Sequence, residues 1–422
     1  MKIKTKVIDY DKVISLKKEK KHRPIKTMFI FRLLLLILCC WDLLFTKFRL
    51  TKIGMDKLGK KEPCLYLMNH SAFMDMKIAN CILFPRPINI VASVDAFIGK
   101  SLLMRLIGCI PARKFIADTQ LVKDLVYCTK KLKTSVLMFP EAGYTFDGTS
   151  TTLPESLGKC LKLLKVPVVM IKTQGVFLRD PLYNRLQIRK VKTSATMEYL
   201  LPPEDIERYS VDEINAIIAE QFSFDNFRHQ QENKIAVSEP FRADGLNRVL
   251  YKCPHCLAEG EMTGKGTTLK CQKCKKEYEL TELGFMKALN GETEFSHIPD
   301  WYRWERECVK QEVVNGTYNL DVDVNIGVIL NTKCFYMIGE GRLTHSLDGF
   351  KLIGCNGRLE YTQKPLSAYS INSDFFWYEI DDVITIGTKD IFYFCFPKNC
   401  GDVVTKARLA QEEIYKMHKG TK

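Results

Sequence analysis

The chain has 422 residues, enough for two or three domains at roughly 150 residues each. Hydrophobic residues make up 46% and charged residues 27%, which excludes a mainly disordered chain; a mean hydropathy of −0.12 excludes a polytopic membrane protein. The 63 Lys and Arg against 49 Asp and Glu give a net charge of +14, which points to an anionic partner: nucleic acid, a membrane surface, or a phosphorylated or thioester-carrier substrate.

Residues 1–46 form a basic, then apolar segment. Ten Lys or Arg in residues 1–27 face only Asp9, Asp11 and Glu19. The apolar run Met28–Thr46 has an uncharged centre, Leu33–Trp41, bracketed by Arg32 and Asp42. That centre falls short of the roughly 20 residues a spanning helix needs. Trp41-Asp42-Leu43-Leu44 is no small-residue cleavage site, so a signal peptide is excluded. Upstream, Lys17-Lys18-Glu19-Lys20-Lys21-His22-Arg23 suits anionic headgroups at about 1 kcal/mol per basic residue near the surface. The combination predicts a helix lying in, or dipping into, the cytoplasmic face of the cell membrane, peripheral or monotopic. A soluble amphipathic helix and a true span are the alternatives.

Residues 47–245 alternate short apolar runs with helical patterns. Strands are expected at 64–68, 88–94, 135–139, 166–172 and 193–200, with helices at 74–83, 101–107, 119–133 and 154–164. This alternation predicts an α/β layer, a mixed sheet flanked by helices. A closing amphipathic helix is expected at 212–222 and a polar linker at 229–247.

A small Cys-paired module follows at 250–280, and a helical linker at 281–314 holds the charged helix 301–314. From 315 to 422 the chain reads as short alternating strands closed by an amphipathic helix at 402–418. The strands are expected at 318–324, 326–330, 334–338, 350–353, 375–379, 383–386 and 391–396. By architecture this β-rich domain resembles a pleckstrin-homology-like (PH) or GRAM-like domain.

The candidate chemistry begins at Asn69-His70-Ser71-Ala72-Phe73-Met74-Asp75, after one strand and at the start of a helix. On a regular helix, residues five apart lie about 140° apart. His70 and Asp75 therefore pair only if His70 sits in the turn and Asp75 in the first helical turn. An Asp accepting from one imidazole nitrogen fixes the tautomer and leaves the other nitrogen as a base. Three further segments follow in order: Gly108-Cys109-Ile110-Pro111-Ala112-Arg113, with a cation after an apolar helix; Phe139-Pro140-Glu141-Ala142-Gly143-Tyr144-Thr145, a strand ending in a turn; and Val166-Pro167-Val168-Val169-Met170, which starts a strand.

Together these four blocks resemble the glycerolipid acyltransferase family, the group that includes 1-acylglycerol-3-phosphate acyltransferases. The resemblance covers roughly residues 30–220. It implies that His70 is the general base toward a glycerol hydroxyl and that Asp75 orients it. It places Arg113 and Glu141 in the acceptor-binding site, with Lys114 beside them as a second cation. The donor it implies is acyl-CoA or an acyl carrier protein thioester, and the acceptor a lysophospholipid. Two departures stand out in the third block, usually F-P-E-G-T-R-S: Ala142 replaces the Gly, and Tyr144 stands where the Arg would be. Met170 likewise replaces a usual Pro. Losing a guanidinium removes a bidentate phosphate clamp, which leaves the acceptor headgroup open.

Cys253-Pro254-His255-Cys256 and Cys271-Gln272-Lys273-Cys274 are the pattern of a zinc ribbon, in which four thiolates close a tetrahedral site. Such a site has no open position, so the expected zinc is structural. His255, between ligands, is expected to be exposed. The other cysteines sit mostly alone in apolar stretches and read as small buried hydrophobes, which suits the cytosol. The stretch Thr263–Thr268 lacks phosphate-loop spacing and falls in the ribbon's hairpin. Residues 253–280 show no basic stripe with interleaved aromatics, so nucleic acid is not the expected partner. Two other readings remain open: a thioester or lipid hydrolase using the same His–Asp pair, and a non-catalytic zinc-ribbon protein that binds lipid or nucleic acid.

Overall fold

A computed structural model describes residues 2–17, 22–116 and 118–420. Its first layer is a seven-stranded mixed sheet in the order Arg49–Ile53, Ser194–Leu201, Val168–Gln174, Leu65–Met68, Ser135–Met138, Ile88–Ser93, Cys109–Ala112. The last five run parallel to one another, whereas Ser194–Leu201 is antiparallel to Val168–Gln174. The central strands are apolar throughout because both faces are covered, as parallel sheets require. Side chains alternate between two cores. Leu65 and Leu67 face Leu161, Ile214 and Ile218 on one side; Tyr66 and Met68 face Ile78, Leu83 and Ile171 on the other.

The five strands and five helices expected here are present within a few residues, and two edge strands were not anticipated. Cys109–Ala112 is a strand, so Arg113 follows a strand rather than an apolar helix. The helix beginning at Thr119 ends as a single π-helical stretch, Tyr127–Leu132. The polar stretch 229–247 is not a loose linker. Val237, Ala243 and Leu246 are buried, and Arg242 accepts at its carbonyl from the Tyr183 hydroxyl at 3.1 Å and Arg189 Nη2 at 2.9 Å.

The Cys-paired module carries a four-stranded antiparallel sheet, Met262–Lys265, Thr268–Cys271, Glu277–Leu280 and Met286–Ala288. It therefore extends past the expected boundary at 280. The helix Ile298–Val314 packs on it. Trp301 is fully buried, stacks edge-on with Tyr278 at 5.0 Å, and donates through Nε1 to the Lys252 carbonyl at 3.0 Å.

The C-terminal region is β-rich: a four-stranded meander, Leu320–Ile329 to Leu359–Gln363, is joined through Leu320–Ile329 and Phe392–Pro397 to a three-stranded one. The helix Val404–Gly420 closes it. The two strands expected at 318–330 are one strand with a bulge at Ile326/Gly327. Glycine is required there, because a Cβ on Gly327 would lie 2.1 Å from the Phe335 ring.

Near the N-terminus, Thr5–Val7 pairs in parallel with Phe335–Met337, and Arg358 forks onto Asp9 and Asp11. Part of the basic run, Lys18, Glu19, Lys20 and Lys21, lies outside the described residues. Of the remainder, Arg23 sits over the Tyr127 ring. The helix Phe29–Phe45 runs along Met74–Leu83, burying Cys39. Asp42, which breaks the apolar run, faces Arg179 at 3.3 Å and Lys77 at 2.5 Å. Among the described residues no helix is long and apolar enough to cross a membrane.

One continuous apolar cluster links Phe146, Phe177 and Tyr183 of the first layer to Tyr278 and Trp301 around the ribbon and to Ile384 and Leu409 of the C-terminal region. A second joins Val94 and Ile98 to Phe335, Trp377 and Phe394. The three regions thus share cores rather than hanging on tethers.

Candidate active site

The carboxyl ends of the five parallel strands lie together at one end of the sheet, the end at which open α/β sheets bind ligands. Leu65–Met68 delivers Asn69 and His70 to it. Asn69 is pinned to the neighbouring strand, accepting from Thr173 N at 2.7 Å and donating to Thr173 O at 3.2 Å. The turn then enters the helix Met74–Leu83, with Asp75 in its first turn. This is the arrangement the five-residue spacing demanded.

Asp75 is fully buried. Its Oδ2 accepts from Ser71 N at 2.6 Å and Ala72 N at 3.1 Å, and its Oδ1 accepts from the Thr173 hydroxyl at 2.8 Å. His70 Nδ1 lies 3.4 Å from Asp75 Oδ2, slightly beyond hydrogen-bond length, and finds no other partner. Catalytic hydrogen bonds are often long before substrate binds. With the carboxylate at Nδ1, the proton belongs on Nδ1 and the lone pair on Nε2. The imidazole stacks on Phe139 at 4.1 Å and tilts against Tyr144 at 4.5 Å. Burial lowers the His70 pKa; Asp75 opposes that shift and the Lys114 charge reinforces it. The ring is therefore held neutral, the form a base needs.

Glu141, expected among acceptor-binding residues, is fully buried and accepts hydrogen bonds from the chain itself. Oε2 accepts from His70 N at 2.9 Å, and Oε1 from Thr151 N at 3.0 Å and Thr151 Oγ1 at 3.1 Å. Burial pushes its carboxyl up to about 7 against these hydrogen bonds. It binds the third-block turn to the His70 turn. Ala142, in place of the family's glycine, takes the left-handed conformation at φ +58.

Arg113 and Lys114 follow the strand Cys109–Ala112 at the same edge of the sheet, and the Lys114 charge reaches His70. Sequence reading missed Asn69 and Thr173 as supports. Both were visible as polar residues beside apolar runs, but only the strand pairing shows that they meet.

The four cysteines converge at a separate centre. The Sγ atoms of Cys253, Cys256, Cys271 and Cys274 all lie within 4.8 Å of one another. Two of the separations, Cys253–Cys274 and Cys256–Cys271, are 3.7 Å. A zinc tetrahedron with bonds of about 2.3 Å has edges of about 3.8 Å, so the set fits such a metal. Two matching turns hold it: Leu257 N donates to Cys253 O and Lys275 N to Cys271 O, with Leu257 and Lys275 both at positive φ. His255 is exposed and faces Glu294 at 3.3 Å.

The site geometry sets a titration test. The His70 imidazole should titrate below 6.5, and Asp75→Asn should lower its pKa further, because the carboxylate is the group raising it. Nitrogen-15 NMR of histidine-labelled protein reads this directly; a His70 pKa above 6.5 would contradict the environment described.

Residues 49–172 match the family model described as Acyltransferase. No curated protein matches the chain. Among solved structures, the crystal structure of the 1-acyl-sn-glycerophosphate (LPA) acyltransferase PlsC from Thermotoga maritima is similar over 46% of this chain and 80% of its own, at 14% identity and a TM-score of 0.35. The matched span contains His70, Asp75, Arg113, Lys114 and Glu141, and the family match supports placing it among acyltransferase domains.

Proposed function

We propose that the chain is an O-acyltransferase of glycerolipid metabolism, moving a fatty acyl group from a thioester of coenzyme A or acyl carrier protein to the hydroxyl of a lysophospholipid. The observation that carries this reading is His70 Nδ1 at 3.4 Å from the buried Asp75 carboxylate, inside the span that matches the Acyltransferase family. His70 Nε2 accepts the hydroxyl proton as the oxygen attacks the thioester carbonyl. The ester C–O bond forms, the C–S bond breaks, and the imidazolium returns the proton to the departing sulfur. Asp75 steadies the imidazolium. Glu141 positions His70 through its backbone, and Arg113 and Lys114 are the cations toward the acceptor's phosphate.

The helix Phe29–Phe45 supports attachment to the cytoplasmic face of a membrane. Leu34, Ile37, Leu38, Trp41, Leu44 and Phe45 are exposed along it, while Asp42 turns to Arg179 and Lys77. An apolar face this continuous on a helix that cannot span suits a monotopic seat in one leaflet. The zinc is structural: four thiolates leave no position for water or substrate. In the C-terminal region, four- and three-stranded meanders closed by a helix support the PH- or GRAM-like reading.

Three outcomes are expected. With labelled acyl thioester and a panel of lysolipids, His70→Ala should lower turnover at least 10²-fold, as for a lost general base. Free fatty acid as the sole product of the unaltered protein would instead indicate a hydrolase. In co-sedimentation with anionic vesicles, replacing Leu38 and Trp41 together by Asp should weaken binding at least tenfold, since burying each such side chain is worth about 1.5–3 kcal/mol. Unchanged binding would place attachment elsewhere. Elemental analysis should find one zinc per chain; Cys256→Ser should lose it and lower the melting temperature, because metal binding is folding energy in so small a module.

A further inference from the structure

The apolar helix Phe29–Phe45 carries a single acid, Asp42, and that acid joins the two elements between which Asp75 is held. Asp42 Oδ2 accepts from Lys77 Nζ at 2.5 Å. Lys77 belongs to the helix Met74–Leu83, whose first turn contains Asp75. Asp42 Oδ1 accepts from Arg179 Nη2 at 3.3 Å. Arg179 closes the short helix Val176–Arg179, which follows the strand Val168–Gln174 that bears Thr173. The Thr173 hydroxyl is in turn a partner of Asp75, at 2.8 Å. One carboxylate thus spans the helix and the strand whose relative position sets the Asp75 oxygens.

Lys77 also reaches the turn that carries the base. Its ammonium lies 5.7 Å from the centroid of the Phe73 ring, and Phe73 stands between His70 and Asp75. The bridging helix is itself fastened at both ends. At its start Arg32 donates to the Pro85 carbonyl and Phe29 packs on Phe84 at 5.8 Å, both just past Leu83. Immediately after its end the Thr46 hydroxyl accepts from the Thr193 hydroxyl at 2.9 Å. The bridge is a fixed strut rather than a passing surface contact.

Burial makes the strut firm. Arg179 is 7% exposed, and Asp42 and Lys77 are 27% exposed each. Pairs this shielded hold more tightly than fully exposed ones, and removing one partner strands the charge of the other. Arg179 has a second acid in Asp180, at 3.4 Å, whereas among the described residues Asp42 is the one acid paired with Lys77. What the strut controls is finely set. His70 Nδ1 stands 3.4 Å from Asp75 Oδ2, already slightly beyond hydrogen-bond length. A small drift of Asp75 away from the ring uncouples the pair.

We propose that Asp42 is a positioning residue for the His70–Asp75 pair, acting through Lys77 and Arg179 from the helix Phe29–Phe45. This rests on the acyltransferase reading above. It makes that helix a part of the active-site frame in addition to a seat in the leaflet.

The test compares Asp42→Asn, Asp42→Glu and Lys77→Met in the full chain, held in detergent micelles so that membrane attachment does not limit turnover. Two quantities are read: kcat and KM with palmitoyl-CoA and the lysolipid that the unaltered protein acylates fastest, and the His70 pKa by nitrogen-15 NMR. Charge alone moves that pKa in opposite directions, down when the acid is lost and up when the lysine is lost. A lost strut moves it down in both, because Asp75 draws away from Nδ1 and Asp75 is the group raising it. We expect the His70 pKa to fall in Asp42→Asn and in Lys77→Met. In both, kcat should fall at least tenfold with KM within about twofold, as for a misplaced catalytic group. Asp42→Glu should restore most of kcat. Opposite pKa shifts in the two variants would overturn the positioning role. So would a lower melting temperature with kcat and pKa unchanged, which marks an ion pair that only holds the fold. If Asp42→Asn does not fold, Lys77→Met decides alone, since charge and strut give it opposite signs. No transfer to any acceptor by the unaltered protein would overturn the functional reading, whereas the pKa shifts judge the strut without any turnover.

Discussion

A carboxylate removed from water must have its lone pairs met by donors, or the residue costs more than the fold can spare. Asp75 meets this requirement with two backbone N–H groups from its own turn and the Thr173 hydroxyl of the adjacent strand. Each of those bonds also fixes something else. The backbone pair sets the shape of the turn that carries His70; the Thr173 bond ties that turn to the sheet. Glu141 repeats the device from the other side, accepting from His70 N and from Thr151. The backbone that carries the imidazole is thus held on both sides of the His70 Cα, while the ring itself rests against Phe139 and Tyr144.

The α/β layer was legible in the sequence because its strands are apolar runs of strand length, and its helices carry 3.6-residue periodicity. The His–Asp spacing and the paired cysteines were legible for the same reason: short-range geometry restricts what such spacings can do. What escaped was tertiary. Cys-Ile-Pro-Ala at 109–112 is a short edge strand with a proline, and proline demotes a strand pattern in any local reading. Asn325 looked like a break between two strands, but one continuous strand runs through it, and Gly327 is there to admit the Phe335 ring. The stretch 229–247 reads as polar linker, yet its few apolar residues fill gaps and its polar ones complete hydrogen bonds across the core. Glu141 was found as a site residue, but nothing in F-P-E-A-G shows that its oxygens accept from His70 N and Thr151.

The apolar helix near the N-terminus shows how one residue can settle an orientation. A charge at Asp42 shortened the apolar run and left spanning, lying and packing as competing readings. In the fold, Asp42 faces Arg179 and Lys77, so one stripe of the helix belongs to the protein. The opposite stripe keeps Leu38 and Trp41 62% exposed each. A helix whose polar interruption is satisfied internally presents an uninterrupted apolar face outward. That is the geometry an interfacial helix needs, and it costs no buried charge.

The same economy explains why the β-rich region sits where it does. An edge strand offers unpaired backbone groups and invites aggregation unless something covers it. Here the edge strand, Asn372–Trp377, is bent by a register slip and laid against turns at the carboxyl ends of the parallel strands, through Trp377 to Asp95 and Phe375 to Phe146. The aromatic partners Phe115 and Phe146 lie one and two residues beyond Lys114 and Tyr144, so Tyr369 and Phe375 pack against the loops that carry the site's cation and its ring. A region that looks like an appendage in the sequence is therefore packed against the loops that carry Lys114 and Tyr144, and their positions depend on contacts made from beyond residue 245.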